Sequence, residues 1–207
     1  MEARAPEALA RLCQQTLPDD PRAFEALVAH YKQRVFATAY RLLGNRQDAD
    51  DLAQEVFLKV YRRIRDLDDP TTITTWIYTI TTNTCLDALT ARQRRPQTTP
   101  LAADGTADDP PLPDSCAATP EEEALRGEVR RCVEDALAGL GPLERAALVL
   151  REIEGRAYQE IAEALTVGLS AAKMRIHRAR VSFGHLLATV CPDVWRQYGP
   201  TEHDVPD

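Results

Sequence analysis

Apolar side chains recur with a helical period along most of the chain, and breaks in that period mark where each helix ends. Over 24–43 Phe24, Leu27, Val28, Tyr31, Val35, Ala39 and Leu42 share one side, and Gly44 and Asn45 stop the run. Over 48–65 a broader apolar face carries Ala49, Leu52, Ala53, Val56, Phe57, Val60, Tyr61 and Ile64. The opposite face holds Asp50, Asp51, Gln54, Glu55, Lys59, Arg62 and Arg63, with Leu58 an apolar residue among charges. An Asp- and Thr-rich loop with Pro70 follows over 66–75, and a third helix is predicted from about Thr74 to Arg95. Ile73, Ile77, Ile80 and Thr84 can pack there, beside an unusual density of threonines that are poor helix formers. Helices are also predicted over 121–137, with Ala124, Val129, Val133 and Leu137 inside, and over 143–152, with Ala147, Leu148 and Leu150 inside.

The pattern then tightens. Over 158–180 a short helix buries Ile161, Ala162 and Leu165, a turn spans 166–169 with Gly168 free to take a positive φ, and Ser170 is placed to cap a second helix. That helix has Ala172, Ile176, Ala179 and Phe183 as its core stripe, and Lys173, Met174, His177 and Arg178 on the other side. This is the layout of a helix-turn-helix, whose second helix lies in the DNA major groove. Arg175 and Arg180 flank the face, where phosphates are the expected targets. A solvated basic helix face is the competing reading, and the order helix, turn, basic helix argues against it.

Composition changes this picture in one place. From 96 to 120 the chain is rich in Pro, Asp, Thr and Ala, without Lys or Arg, and reads as an extended acidic linker, either solvated or lying in a basic channel. The expectation is an all-α protein of two small helical domains, 1–95 and 121–190, joined by that flexible linker and followed by a tail over 191–207. The sequence contains no apolar run of membrane-span length and no signal-peptide core near Met1, so a cytoplasmic protein without membrane insertion is expected. Five cysteines without a C-x-x-C pair suit a reducing compartment, and with four histidines out of ligand spacing neither a metal nor a cofactor is expected. No nucleophile and base pair or glycine-rich phosphate loop suggests an enzyme.

The stretches DADDLAQEVFLKVY (48–61), TTWIYTITTNTCLDALTARQRRP (74–96) and LGPLERAALVLREIEGRAYQEIAEAL (140–165), running into SAAKMRIHRAR, resemble RNA polymerase sigma factors of the extracytoplasmic function group, with sigma-70 regions 2 and 4 only. The resemblance implies a transcription initiation factor that binds the polymerase core and directs promoter recognition and melting. It implies that Asp51, Gln54, Glu55 and Leu58 meet the β′ clamp helices, with the β flap a further polymerase contact. Thr74, Thr75, Trp76, Thr79 and Asn83 would hold the unpaired minus-10 strand, where hydrogen bonds and stacking offset the cost of unpairing. Lys173, Met174, Arg175, His177 and Arg178 would read the minus-35 duplex, and an anti-sigma factor is an implied partner.

Two departures from the family pattern limit this. Where the recognition helix usually opens with Gly-Thr-Val, this chain has Ser170, Ala171 and Ala172, and Met174 replaces a small polar residue. The usual arginine-rich region 2.4 is threonine-rich here, so a promoter preference is not carried over. The net charge of -7 repels DNA at long range, which predicts weak promoter binding by the free chain. A helix-turn-helix regulator acting without polymerase, and a helical adaptor binding only protein, are the alternatives; the first predicts stable DNA binding alone, the second no salt-dependent nucleic-acid affinity.

Overall fold

A computed structural model describes residues 5–94 and 120–198, and all of its regular structure is helical. The first unit opens with α1 (Pro6–Thr16), an element the sequence pattern left unassigned, which buries Leu9, Ala10 and Cys13. α2 (Arg22–Leu43) ends at Gly44, whose φ of 71° is the left-handed cap expected there. α3 (Arg46–Arg63) begins two residues earlier than predicted because the Asn45 side chain accepts from the Asp48 amide, capping the helix. After single turns at Ile64–Asp66 and Pro70–Thr72, α4 (Ile73–Arg94) packs on both α2 and α3.

Ile73, Ile77 and Ile80 of α4 are buried as predicted, and so are Thr81, Thr82 and Thr84. Thr81 and Thr84 return their hydroxyls to the carbonyls of Ile77 and Ile80, one turn back, whereas the buried Thr82 hydroxyl has no hydrogen-bond partner. Tertiary packing, not propensity, therefore makes this segment helical. On α3 the predicted apolar face is buried except at its edge, where Phe57 is half-buried and Tyr61 is exposed and meets Phe24 edge to face at 5.1 Å.

The second unit comprises α5 (Pro120–Ala138), α6 (Pro142–Leu148), a π-helical turn (Val149–Ile153), α7 (Tyr158–Ala164), α8 (Leu169–Val190) and α9 (Pro192–Tyr198). α6 and α8 pack against each other, with α5 and α7 flanking α8. Two local expectations are corrected here. Gly168 has φ -69° and serves as the N-cap of α8, so the left-handed residue that reverses the chain is Thr166, at φ 54°. The reversal must fall directly after the α7 C-cap, two residues before Gly168 is reached. Ser170 does not cap α8; the helix starts at Leu169, and Ser170 lies inside its first turn.

The predicted linker lies outside the described residues, apart from Pro120, where α5 begins. Of the predicted tail, 192–198 is helical and 199–207 lies outside them. α9 packs on α8, where a Cβ on Gly184 would stand 3.3 Å from Trp195, so a glycine permits the close approach. Cys132 of α5 and Cys191, the residue after α8, form a disulfide, contrary to the expectation of reduced cysteines. Their separation of 59 residues hid the pair from a search for local motifs.

The two units are not independent bodies. α2 packs on α5 and α6, α4 packs on α6 and α7, and a groove of about 290 Å³ remains between α2 and α5 beside Phe36, Tyr40, Val133, Leu137 and Ile153.

Candidate nucleic-acid interface

The basic face forms because α8 is anchored by small and medium apolar groups on one side only. Ala172, Ile176 and Ala179 are buried, while Lys173, Met174, His177 and Arg178 are exposed together on the opposite side. Met174 is 51% exposed, an unusual position for a flexible apolar side chain unless a partner covers it. Arg175 does not join the four: it is half-buried, and its Nη1 is buried without a hydrogen-bond partner. Arg180 pairs with Glu152 at 2.7 Å, which compensates its charge and raises its pKa through that hydrogen bond. Tyr158, the first residue of α7, receives Arg151 at 4.4 Å and Lys173 at 5.8 Å over its ring. The helix-turn-helix therefore presents an electropositive, partly preorganised edge at the start of α8.

On α4, successive residues turn by about 100°, so Thr75, Trp76, Thr79 and Asn83 form one stripe and Thr74 falls outside it. Thr74 instead shares a 2.6 Å hydrogen bond with Tyr31 of α2. Asn83 is exposed and Trp76 is half-buried against the core, so only part of the Trp76 ring is open for stacking. Thr79 donates to the Thr75 carbonyl at 2.9 Å. Thr75 donates to Glu160 of α7 in the second unit.

Asp51, Gln54, Glu55 and Leu58 are all exposed at i, i+3, i+4 and i+7 on α3, which places them on one face. Leu58 is 55% exposed at the C-terminal end of this face, and Lys59 beside it pairs with Glu55 at 2.8 Å and donates to Thr84 at 3.0 Å. The arrangement is an acidic helix face with one apolar knob. Such a face fits a protein partner better than a phosphate backbone.

Sequence reasoning missed the polar contacts between the units. Glu154, just after the π-helical turn, accepts from Thr38 at 2.8 Å and from Tyr78, and stands 3.8 Å from Arg41. Burial and the neighbouring Glu154 push the Tyr78 phenol well above its usual range. Arg156 lies 5.0 Å over the Tyr78 ring and 3.6 Å from Glu160. Burial raises the Glu160 carboxyl, but the Thr75 hydroxyl, the Ala157 amide and Arg156 outweigh it and leave its pKa below the usual range. Arg145 donates to the carbonyls of Leu42, Ala138 and Leu140, so one guanidinium serves the free ends of α2 and α5. Burial pushes its pKa down. The only sequence sign of these contacts was a cluster of charges at 151–160 too dense for a simple connection.

Among the described residues no group of three or more His, Cys, Asp or Glu is placed to hold a metal, and no helix is long and apolar enough to cross a membrane. Burial raises the free thiols Cys13 and Cys85 to about 11 and about 12. Neither is a thiolate at neutral pH.

A basic helix-turn-helix edge on helical units is the layout of a DNA-binding protein, and comparison with known proteins makes this specific. The families described as sigma-70 region 2 and sigma-70, region 4 match residues 27–95 and 130–182. The ECF RNA polymerase sigma-E factor of Haemophilus influenzae is 36% identical, over 82% of this chain and 89% of that protein. The RNA polymerase sigma-H factor of Pseudomonas aeruginosa is 34% identical over the same shares of the two chains. The solved structure of CnrH in complex with the cytosolic domain of CnrY matches with a TM-score of 0.62 and 27% identity, covering 90% of this chain and 99% of that one. The chain belongs to the sigma-70 family, as a sigma factor of the extracytoplasmic function group, and its function is promoter recognition in transcription initiation.

Proposed function

We propose that this sigma factor divides its work between three surfaces. The face of α3 with Asp51, Gln54, Glu55 and Leu58 docks on the polymerase core at the β′ clamp helices. The stripe of Thr75, Trp76, Thr79 and Asn83 on α4, with Thr74 beside it, holds the displaced minus-10 strand. Lys173, Met174, His177 and Arg178 of α8 meet base edges of the minus-35 duplex, with Arg175 reaching a phosphate once it swings outward. The carrying observation is the four-residue exposed face of α8 on an otherwise acidic protein of net charge -7.

Chemistry supports each assignment. Lysine and arginine suit guanine edges and phosphates, and the Met174 thioether suits a thymine methyl. Threonine and asparagine suit the exposed edges of unpaired bases, and the free part of the Trp76 ring offers a stacking surface. The domain division at 1–95 and 121–190, with the acidic segment between threading a basic channel of the polymerase, completes the picture. So do a cytoplasmic location and control by an anti-sigma factor; the relative CnrH was solved with the cytosolic domain of another protein, CnrY, bound to it.

Transcription in vitro with purified core polymerase on a promoter library tests the whole reading. Defined start sites that depend on added sigma factor are expected, with both promoter elements enriched among the active templates. Failure to direct initiation from any template overturns it.

A further inference from the structure

We propose that Gln14 of α1 is a positioning residue for promoter opening: it clamps the turn that joins α3 to α4 and so fixes the start of the strand-holding stripe relative to the core-docking face. The proposal rests on the readings of α3 and α4 given above. α3 ends at Arg63, and the carbonyls that follow its last turn have no α-helical partner. The Gln14 side-chain amide, at least 50 residues away in sequence, meets them, donating to the Ile64 carbonyl at 3.1 Å and to the Leu67 carbonyl at 2.7 Å. A primary amide nitrogen carries two hydrogens, and both are used here. Without Gln14 the Ile64 carbonyl keeps only a stretched bond from the Leu67 amide, at 3.4 Å.

Gln14 can hold the turn because α1 is itself fixed. Leu9, Ala10 and Cys13 are buried, and α1 packs on α2, on both single turns and on α4. Arg11, three residues before Gln14, adds its charge to the Thr71 bonds that hold the Asp69 carboxyl below its usual range. Those bonds, from the Thr71 amide at 2.9 Å and its hydroxyl at 2.6 Å, stiffen the turn, and the Thr72 hydroxyl donates to the Asp69 carbonyl at 2.7 Å. On the far side Thr74 is tied to Tyr31 at 2.6 Å. The turn is thus held at one foot by α1 and at the other by α2, and Thr75 and Trp76, which open the stripe, follow directly. A stripe whose end is fixed in advance loses less conformational freedom when it takes up an unpaired strand, so more of its binding free energy offsets the cost of opening the duplex.

The test is initiation by the full chain with core polymerase, on a duplex promoter and on the same promoter carrying a mismatched minus-10 bubble. Gln14→Glu keeps the shape but turns acceptors toward two carbonyls, and Gln14→Leu removes the donors without adding charge. Each should lower initiation from the duplex by roughly tenfold and leave the bubble template within about twofold of wild type, because the mismatch has already met the cost of unpairing. Permanganate reactivity of minus-10 thymines in the duplex should fall in step, while co-purification with core and helical content stay those of the wild type. Gln15→Glu, the same change at the exposed neighbour, should do nothing. A loss of equal size on both templates would reduce Gln14 to a structural residue, and wild-type opening by both Gln14 variants would remove the clamp; either result overturns the proposal. Trp76→Ala with Asn83→Ala should lower initiation from the same duplex, and no effect there overturns the reading of α4 and the proposal with it. If that pair lowers initiation and the Gln14 variants do not, only the clamp is lost.

Discussion

At the scale of single residues, charge placement separates exposed cations from cations engaged within the fold. Arg178 is exposed beside Lys173 and His177, whereas Arg180 is neutralised by Glu152, Arg145 is enclosed by carbonyls, and Arg175 is half-buried. Arg178→Ala should cost about 1–3 kcal/mol in binding to a preferred promoter and relax preference at one minus-35 position. Polymerase-dependent binding to a set of minus-35 variants checks this; an equal loss on every variant would move Arg178 to a phosphate. Glu160 supplies a pH signature. Its folded pKa is depressed, so its stabilising contribution is present above the ordinary carboxylate pKa and is lost as pH falls through the lowered value. The groups facing it are Thr75 from α4 and Arg156 and the Ala157 amide from its own segment. Thermal melts of Glu160→Gln should lose part of the acid-side fall in Tm shown by the wild type, and an identical profile would assign that fall elsewhere.

At the scale of elements, the helices bury one face in the core and leave the other exposed. α3 is the clearest case, because Ala49, Leu52, Ala53, Val56 and Val60 are buried while Leu58 protrudes from the charged side. A lone exposed leucine is common, but one set among Asp51, Gln54 and Glu55 at helical spacing is the basis of the proposed docking face. Leu58→Asp should abolish co-purification with core polymerase while circular dichroism remains that of the wild type. Retained association would remove Leu58 from the contact. Much of this was legible beforehand: the bounds of α2 and α3 fell within two residues of their predicted positions, since Gly44 and Asn45 punctuate the pattern plainly. α1 was missed because Pro6 to Thr16 is short and its buried face is only Leu9, Ala10 and Cys13, too sparse to announce a period. The cap of α8 was misplaced because a serine is a strong local signal, while the extended backbone at Gly168 is decided by how α7 and α8 pack.

At the scale of the whole molecule, net charge governs the approach to DNA. A chain at -7 repels DNA at long range, so the isolated protein should bind promoter duplex weakly and gain affinity once core polymerase is added. Mobility shifts at several salt concentrations, with and without core, measure this. Tight, sequence-specific binding by the chain alone would favour a regulator that works without polymerase.

The amino-acid sequence by itself determined the helical class, the order of the helices, the helix-turn-helix and the family. These rest on local spacing: a 3.6-residue period, turn residues at its breaks, and side-chain types at fixed offsets. Tertiary structure alone decided that Thr74 turns to Tyr31 while Thr75 meets Glu160, that Arg175 is half-buried and Arg180 pairs with Glu152, and that Cys132 finds Cys191. Each of those outcomes joins residues with no sequence relation to one another, or depends on how far one helix rotates against its neighbour. A periodic pattern tells which side of a helix is apolar; only the packed neighbours determine what each polar group on the boundary will meet.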